Sequence, residues 1–432
     1  MQYYSTNDST IRVTLKQAVM EGLAADGGLY MPVTIPSLPK DFFPQLPEKS
    51  FPEISYQVAK VLLGDDVTDE VLRKIINHTI QFEAPLVELE ENIYSLELFH
   101  GPTLAFKDFG ARFLSGLLGY FAEQQSKEIT ILVATSGDTG SAVANGFFNV
   151  PGTRVIVLYP SGKVSEIQEK QFTTLGGNIT ALEVDGTFDD CQRLVKRAFL
   201  DFDLKKNLLL ASANSINIAR LIPQTFYYFN AIAQLKSRDK GVVFSVPSGN
   251  FGNLTAGLLA KRMGLPISKF IAATNVNDVV PSYLHTGQFS PRPSIQTISN
   301  AMDVGNPSNF ARMLDMHKKD LALLSQDVKG YAFSNQETTR IMESVYHSKR
   351  YMLDPHGAIG YLGLKKYLIE NSIGEAGIFL ETAHPGKFNE VVEKSIHRNI
   401  DLPERLLQFV KKQKTSIVMK NDFEQLKEIL LR

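Results

Sequence analysis

Residues His100–Gly110 read HGPTLAFKDFG, and the reading of this stretch decides the fold because two periodicities meet in it. Before it, IYSLELF (Ile93–Phe99) alternates as a strand does. From Asp108, DFGARFLSGLLGYF repeats its apolar residues at helical spacing. Lys107 therefore stands at a strand-to-helix turn. Such turns sit on a rigid scaffold and project side chains into clefts, which favours them for catalytic groups. A solvated first-turn lysine is the plain alternative.

Working outward, the alternation of short β-rich runs and helices continues, the pattern of an α/β fold with parallel sheets covered by crossover helices. ITILVAT, RVIVLYP, NITALEV and NLLLASA read as strands, and TGSAVANGFF, SEIQEKQFTTL, FDDCQRLVKRAFL and NIARLIPQTFYYFNAIAQL as helices between and after them. After the charged KSRDKG (Lys236–Gly241), VVFSVP and FIAATN open a second series that AGIFLETA closes. The break divides the chain into two α/β units with a cleft between them. Residues 95–235 form a small unit carrying Lys107, and residues 236–432 a large unit. Residues 1–94 hold the Pro-rich MPVTIPSLPKDFFPQLPEKSFP and the acidic helix DDVTDEVLRKIINHTI, and are assigned as an N-terminal segment packed on the large unit.

Bulk composition narrows the function classes. The 432 residues suggest roughly two to three domains. With 45 basic and 46 acidic residues the formal net charge is -1, which offers no global field for nucleic acid or an anionic membrane. There is no apolar run of about eighteen residues, and MQYYSTNDST has no signal-peptide pattern, so a cytoplasmic protein is the simplest reading. Cys191 is the only cysteine and reads as a packed helix residue; the eight histidines show no HExxH or similar ligand spacing, so no metal is implied.

Two glycine-bearing turns follow strands. ATSGDTGSAVA (Ala134–Ala144) and VPSGNFGNLTAGLLA (Val246–Ala260) each place small residues and backbone N–H groups at a helix N-terminus, where anions bind. Neither is GxxxxGK[ST] or GxGxxG, and alone each is equally an ordinary tight connection. Together with Lys107 they supply what pyridoxal phosphate and an amino acid require: a lysine for the cofactor aldehyde, a nest for a phosphate and a nest for a carboxylate.

LFHGPTLAFKDFGARF, ATSGDTGSAVA, LYPSGKVSEIQEKQ, LGGNI, SANSINIARL, VPSGNFGNLTAGLLAK, ATNVND and ETAHPGKF occur in that order from about residue 95 to 390. With STNDST and ADGGLYMP nearer the N-terminus, they make the chain resemble the threonine synthase family, in the fold-type-II (tryptophan synthase beta-like) group of pyridoxal-phosphate enzymes. The resemblance implies two α/β units with the cofactor in the cleft between them. It implies that Lys107 forms the Schiff base, that Gly249, Asn250, Phe251, Gly252 and Asn253 bind the cofactor phosphate, and that the Thr382 hydroxyl meets the pyridine nitrogen. Asp138 falls near the cofactor's phenolic oxygen, with Ser136, Gly137 and Thr139 beside it for the substrate carboxylate. Lys163, Asn214, Ser215, Asn217 and Arg220 supply cations and amides for a second phosphate, although either cation is equally an ordinary surface or ion-paired residue. His356 and His384 lie in nearby turns and are left out of the chemistry.

The activity so implied is conversion of O-phospho-L-homoserine and water to L-threonine and phosphate, by a monomer without an S-adenosylmethionine domain. A related lyase, such as a threonine or serine dehydratase or a phospho-lyase, is the alternative within enzymes. A cofactor-binding protein without turnover is the alternative outside them.

Overall fold

The computed structural model describes residues 1–123, 127–236, 241–371 and 374–432. Of KSRDKG, residues 237–240 lie outside the described residues. At the N-terminus, β1 (Gln2–Ser5), β2 (Arg12–Thr14) and β3 (Tyr30–Pro32) form an antiparallel sheet in the order β2-β1-β3. Next come β4 (Leu86–Glu90) and β5 (Ile93–Glu97), an antiparallel pair. A parallel series follows in β6 (Ile129–Ala134), β7 (Thr153–Pro160), β8 (Ile179–Asp185) and β9 (Leu209–Ser212). A second parallel series comprises β10 (Val242–Pro247), β11 (Lys269–Thr274), β12 (Val328–Ala332) and β13 (Ala376–Glu381), and β14 (Ile417–Lys420) is last.

These strands build two sheets. The smaller runs β14-β8-β7-β6-β9, all parallel, and the larger β12-β11-β10-β13-β5-β4, parallel except for β4. Every residue of β6, β10 and β13 is buried. That is why they read as continuous apolar runs: a parallel sheet is covered by helices on both faces.

The expected helices form with one difference. Phe188–Leu200 buries Cys191, Leu194, Val195 and Ala198 on one stripe and opens with a capping box from Thr187 and Asp190. Burial pushes the Cys191 thiol up to about 12, as befits an inert core residue. The run from Asn217 to Leu235, read as one helix, is instead Ile218–Leu221, a tight turn at Ile222–Thr225, and Phe226–Gln234. Pro223 lacks an N–H and its ring opposes the carbonyl four residues back, so the helix breaks there.

Sheet membership departs from the expected divisions. β5, which straddles the expected boundary between residues 94 and 95, pairs with β13 in the large sheet, register Leu96↔Leu380. β14, read as part of the large unit, covers the edge of the small sheet by pairing with β8, and Met419, Phe423 and Leu426 pack with Cys191 and Leu194. An uncovered strand edge leaves a row of unpaired N–H and C=O groups, and the C-terminal strand satisfies them. The N-terminal segment packs on both units: Asn217 Nδ2 donates to Val19 O on the small side, while Leu38 N donates to Met263 O and Arg312 donates to Tyr30 O on the large side. No helix among the described residues is long and apolar enough to cross a membrane.

Candidate active site

The carboxyl ends of β6, β9, β10 and β13 converge on an inner cavity of about 110 Å³, the position where open α/β sheets bind ligands. Its wall carries Lys107, Ser136, Thr139, Asn214, Ser215, Arg220, Gly249–Asn253 and Thr382, drawn from both sheets. Ser136 and Phe188 are shared with an outer cleft of about 860 Å³, on whose rim Lys163 is exposed.

Lys107 opens the helix Lys107–Ala122. The loop before it is clamped to the end of β13: Phe106 N donates to Thr382 O (2.9 Å), His384 N donates to Leu104 O (3.0 Å), and Ala105 bridges Ala383. This clamp, rather than neighbouring sequence, brings Lys107 and Thr382 to one wall. Leu104 holds φ 58°, a left-handed conformation that a branched side chain adopts only under constraint. Burial pulls the Lys107 ammonium down to about 8; Asp138 opposes the shift, and the Arg220 and Lys387 cations reinforce it. Among the described residues Lys107 Nζ has no hydrogen-bond or carboxylate partner, only the Phe106 ring 5.8 Å away. A buried amine that loses its proton near neutrality is a competent nucleophile and base.

The two glycine turns differ in how far the protein satisfies them. After β6, Thr135 Oγ1 accepts from Gly137 N (2.9 Å) and Gly140 N (2.8 Å), so part of the expected carboxylate nest is already used. Gly137 has φ 136°, reserved for glycine, and a Cβ there would lie 2.7 Å from Gln168 Cδ. Asp138 is not on the inner wall. Its Oδ1 meets Lys387 Nζ at 2.7 Å and Gln168 Nε2 at 2.7 Å, with Asp138 and Lys387 both buried. Burial alone would raise the Asp138 pKa, but the Lys387 and Lys107 cations and the two hydrogen bonds outweigh it and hold the carboxylate ionised well below its usual range.

After β10 the chain enters the helix Gly252–Arg262 through Phe251 in the left-handed conformation, φ 60°. Asn250 Nδ2 donates to Ser215 Oγ (2.6 Å), and Asn253 Oδ1 accepts from Tyr227 and Tyr228, while Asn253 Nδ2 has no partner among the described residues. On the same wall Arg220 Nε and Gln224 Oε1 are also buried without partners among the described residues. Arg220 Nη1 donates to Ala213 O (2.6 Å), and burial lowers its pKa to about 10. Unpaired buried polar atoms are rare in native proteins and call for a ligand.

Asn217 departs from its expected role. It is fully buried away from the cavity, caps Ile218–Leu221 by accepting from Ala219 N, and donates to Val19 O and Ser212 O. Asn214, although on the wall, exchanges two hydrogen bonds with the Ala134 backbone. His356, set aside at the sequence level, does reach the inner wall: Nδ1 pairs with Asp354 at 2.5 Å and Nε2 accepts from Ala301 N at 3.3 Å. His384 does not, and accepts from Gly386 N beside the Phe99 ring.

Against known proteins, residues 79–379 match the family described as pyridoxal-phosphate dependent enzyme, residues 2–80 the threonine synthase N terminus, and residues 357–430 the threonine synthase C-terminal family. A threonine synthase of Haemophilus influenzae is 46% identical over 433 residues, covering 100% of both chains. The chain belongs to the threonine synthase family. The crystal structure of threonine synthase from Escherichia coli superposes with TM-score 0.94 at 44% identity, covering 100% of this chain and 99% of that one. A pyridoxal-phosphate-bound threonine synthase from Brucella melitensis superposes with TM-score 0.92 at 35% identity, covering 100% and 99%. The fold is thus fold-type II, the protein is a pyridoxal-phosphate-dependent lyase acting on a small molecule, and its cofactor is pyridoxal phosphate. The cavity fits that cofactor: a free lysine with a depressed pKa faces a helix N-terminus flanked by unpaired donors.

Sequence reasoning missed Lys387, Gln168 and Thr135, which hold Asp138 and its turn in place. Lys387 stood inside the quoted ETAHPGKF, but nothing in one sequence marks a lysine there as fully buried.

Proposed function

We propose that the chain converts O-phospho-L-homoserine and water to L-threonine and phosphate. The observation that carries this reading is Arg220: a cation 3% exposed, with no carboxylate ion-paired to it among the described residues, on the same wall as Lys107. The phosphate nest after β10 serves the cofactor, so a second buried cation calls for a second anion, which a phosphorylated substrate brings. Bound in the cavity, pyridoxal phosphate supplies a ring that takes up the electrons left when a substrate proton is removed. Lys107 Nζ, whose pKa burial lowers to about 8, takes the proton from the substrate α-carbon in its neutral form. Ser136 and Thr139 orient the substrate carboxylate, Thr382 offers a neutral hydroxyl to the ring nitrogen, and Asp138, held by Lys387, keeps a fixed negative charge behind Lys107. Arg220 stabilises the departing phosphate as its charge grows, with Lys163 at the rim contributing less. The protein works as a cytoplasmic monomer.

Arg220→Ala tests the assignment. Phosphate release from O-phosphohomoserine should fall by roughly 10²–10³, the cost of removing one such charge-stabilising donor, while the cofactor absorption band persists. Equal conversion of unphosphorylated homoserine, or a 2-oxo acid in place of threonine as product, would overturn it.

A further inference from the structure

The helix Phe310–Met316 carries another buried guanidinium, Arg312, which the chemistry above does not use. It is fully buried, and all its hydrogen bonds go to neutral oxygens. Nη2 donates to Ile216 O (2.7 Å) and Tyr30 O (3.0 Å), Nε to Tyr30 O (3.3 Å), and Nη1 to Asn309 Oδ1 (2.7 Å) and Ser215 O (3.3 Å). Among the described residues no carboxylate is ion-paired with it. A guanidinium kept from water without an opposite charge is costly, and carbonyl dipoles offset only part of that.

What its partners touch gives the charge a direction. Asn309 Nδ2 donates to Ser215 Oγ (3.3 Å), and Ser215 Oγ also accepts from Asn250 Nδ2. A Cβ built on Gly252 would lie 3.5 Å from Asn309 Nδ2 and 3.6 Å from Ser215 Cβ. Arg312 therefore sits one side chain behind the turn Gly249–Asn253, at the positive end of Gly252–Arg262.

We propose that Arg312 is the buried counter-charge of the cofactor phosphate, acting through Asn309 and Ser215 without touching it. Its bonds to Tyr30 O also fasten the N-terminal segment to the phosphate turn. The ligand-free protein then carries an uncompensated cation that phosphate binding neutralises. The inference rests on Gly249–Asn253 being the phosphate turn.

The test compares pyridoxal 5′-phosphate with pyridoxal, which lacks the phosphate, in equilibrium titrations of the ligand-free full chain. Arg312→Met removes the charge. Asn309→Asp leaves it in place and gives it a carboxylate of nearly the same shape, and carries the test alone if Arg312→Met does not fold. Each should weaken pyridoxal 5′-phosphate binding by about tenfold or more and leave pyridoxal binding within about twofold. The thermal midpoint of ligand-free Asn309→Asp should be no lower than that of the wild type. Unchanged phosphate preference in Asn309→Asp, or equal loss for both ligands, overturns the proposal. Gly252→Val separates the two readings. If it abolishes the preference while Asn309→Asp does not, only the role of Arg312 falls. If Gly252→Val leaves the preference intact, the phosphate turn falls, and Arg312's role with it.

Discussion

The turns after β6 and β10 look alike as sequence, small residues and glycines leading from a buried strand into a helix, yet the fold treats them in opposite ways. After β6 the protein supplies part of the bonding itself: Thr135 takes two amides, and Lys387 and Gln168 take the Asp138 carboxylate. After β10 it leaves bonding open: among the described residues Asn253 Nδ2 has no partner, and the Arg312 guanidinium behind the turn has no ion-paired carboxylate. A turn braced from within is a rigid platform. A turn left short of partners is where a ligand completes the structure.

Breaking the platform should cost most. Lys387→Met strands the Asp138 carboxylate in a buried site, and the ligand-free protein should lose about 3–5 kcal/mol in denaturant unfolding, the usual penalty for removing one partner of a buried ion pair. A loss under about 1 kcal/mol would mean that Asp138 finds another partner. Thr135→Val, close in shape, leaves the Gly137 and Gly140 amides without their acceptor and should cost about 2 kcal/mol by the same measurement. The open turn should behave differently. A Cβ at Gly252 meets no described atom closer than 3.5 Å, so Gly252→Val should cost ligand-free stability less than either platform variant. It should raise the cofactor dissociation constant about tenfold, or roughly 1.4 kcal/mol, because the branched side chain obstructs close approach to the backbone. Unfolding loss without affinity loss at Gly252 would erase the distinction between the turns.

Much of this was legible along the chain. The buried runs of β6, β7, β10 and β13 and the stripe of Phe188–Leu200 announce themselves because local period and burial agree. Lys107 at a helix start and the SGNFGN turn are local in the same sense, whereas Thr382 came only with the family resemblance. Asn217 misled because an asparagine before a helix is written identically whether it caps the helix or faces a ligand. The division of the chain misled because β5 and β14 are short strands whose sheet is chosen by which edge lies open, and that is a property of the assembled fold.

By itself, then, the sequence determined an alternating α/β chain with a lysine at a strand-to-helix turn, two glycine turns suited to anions, and the family those motifs resemble. These follow from periodicity and from what glycine, proline and lysine do to the few residues around them. Only the tertiary structure decided that Lys387 lies buried against Asp138, that Lys107 and Thr382 share one wall through the Ala105–Ala383 bridge, and that Arg312, behind the turn Gly249–Asn253, has no ion-paired carboxylate among the described residues. Burial and pairing are relations between residues far apart in sequence. A charged side chain reads the same whether it faces water or is sealed in the core, and the physical consequence differs completely.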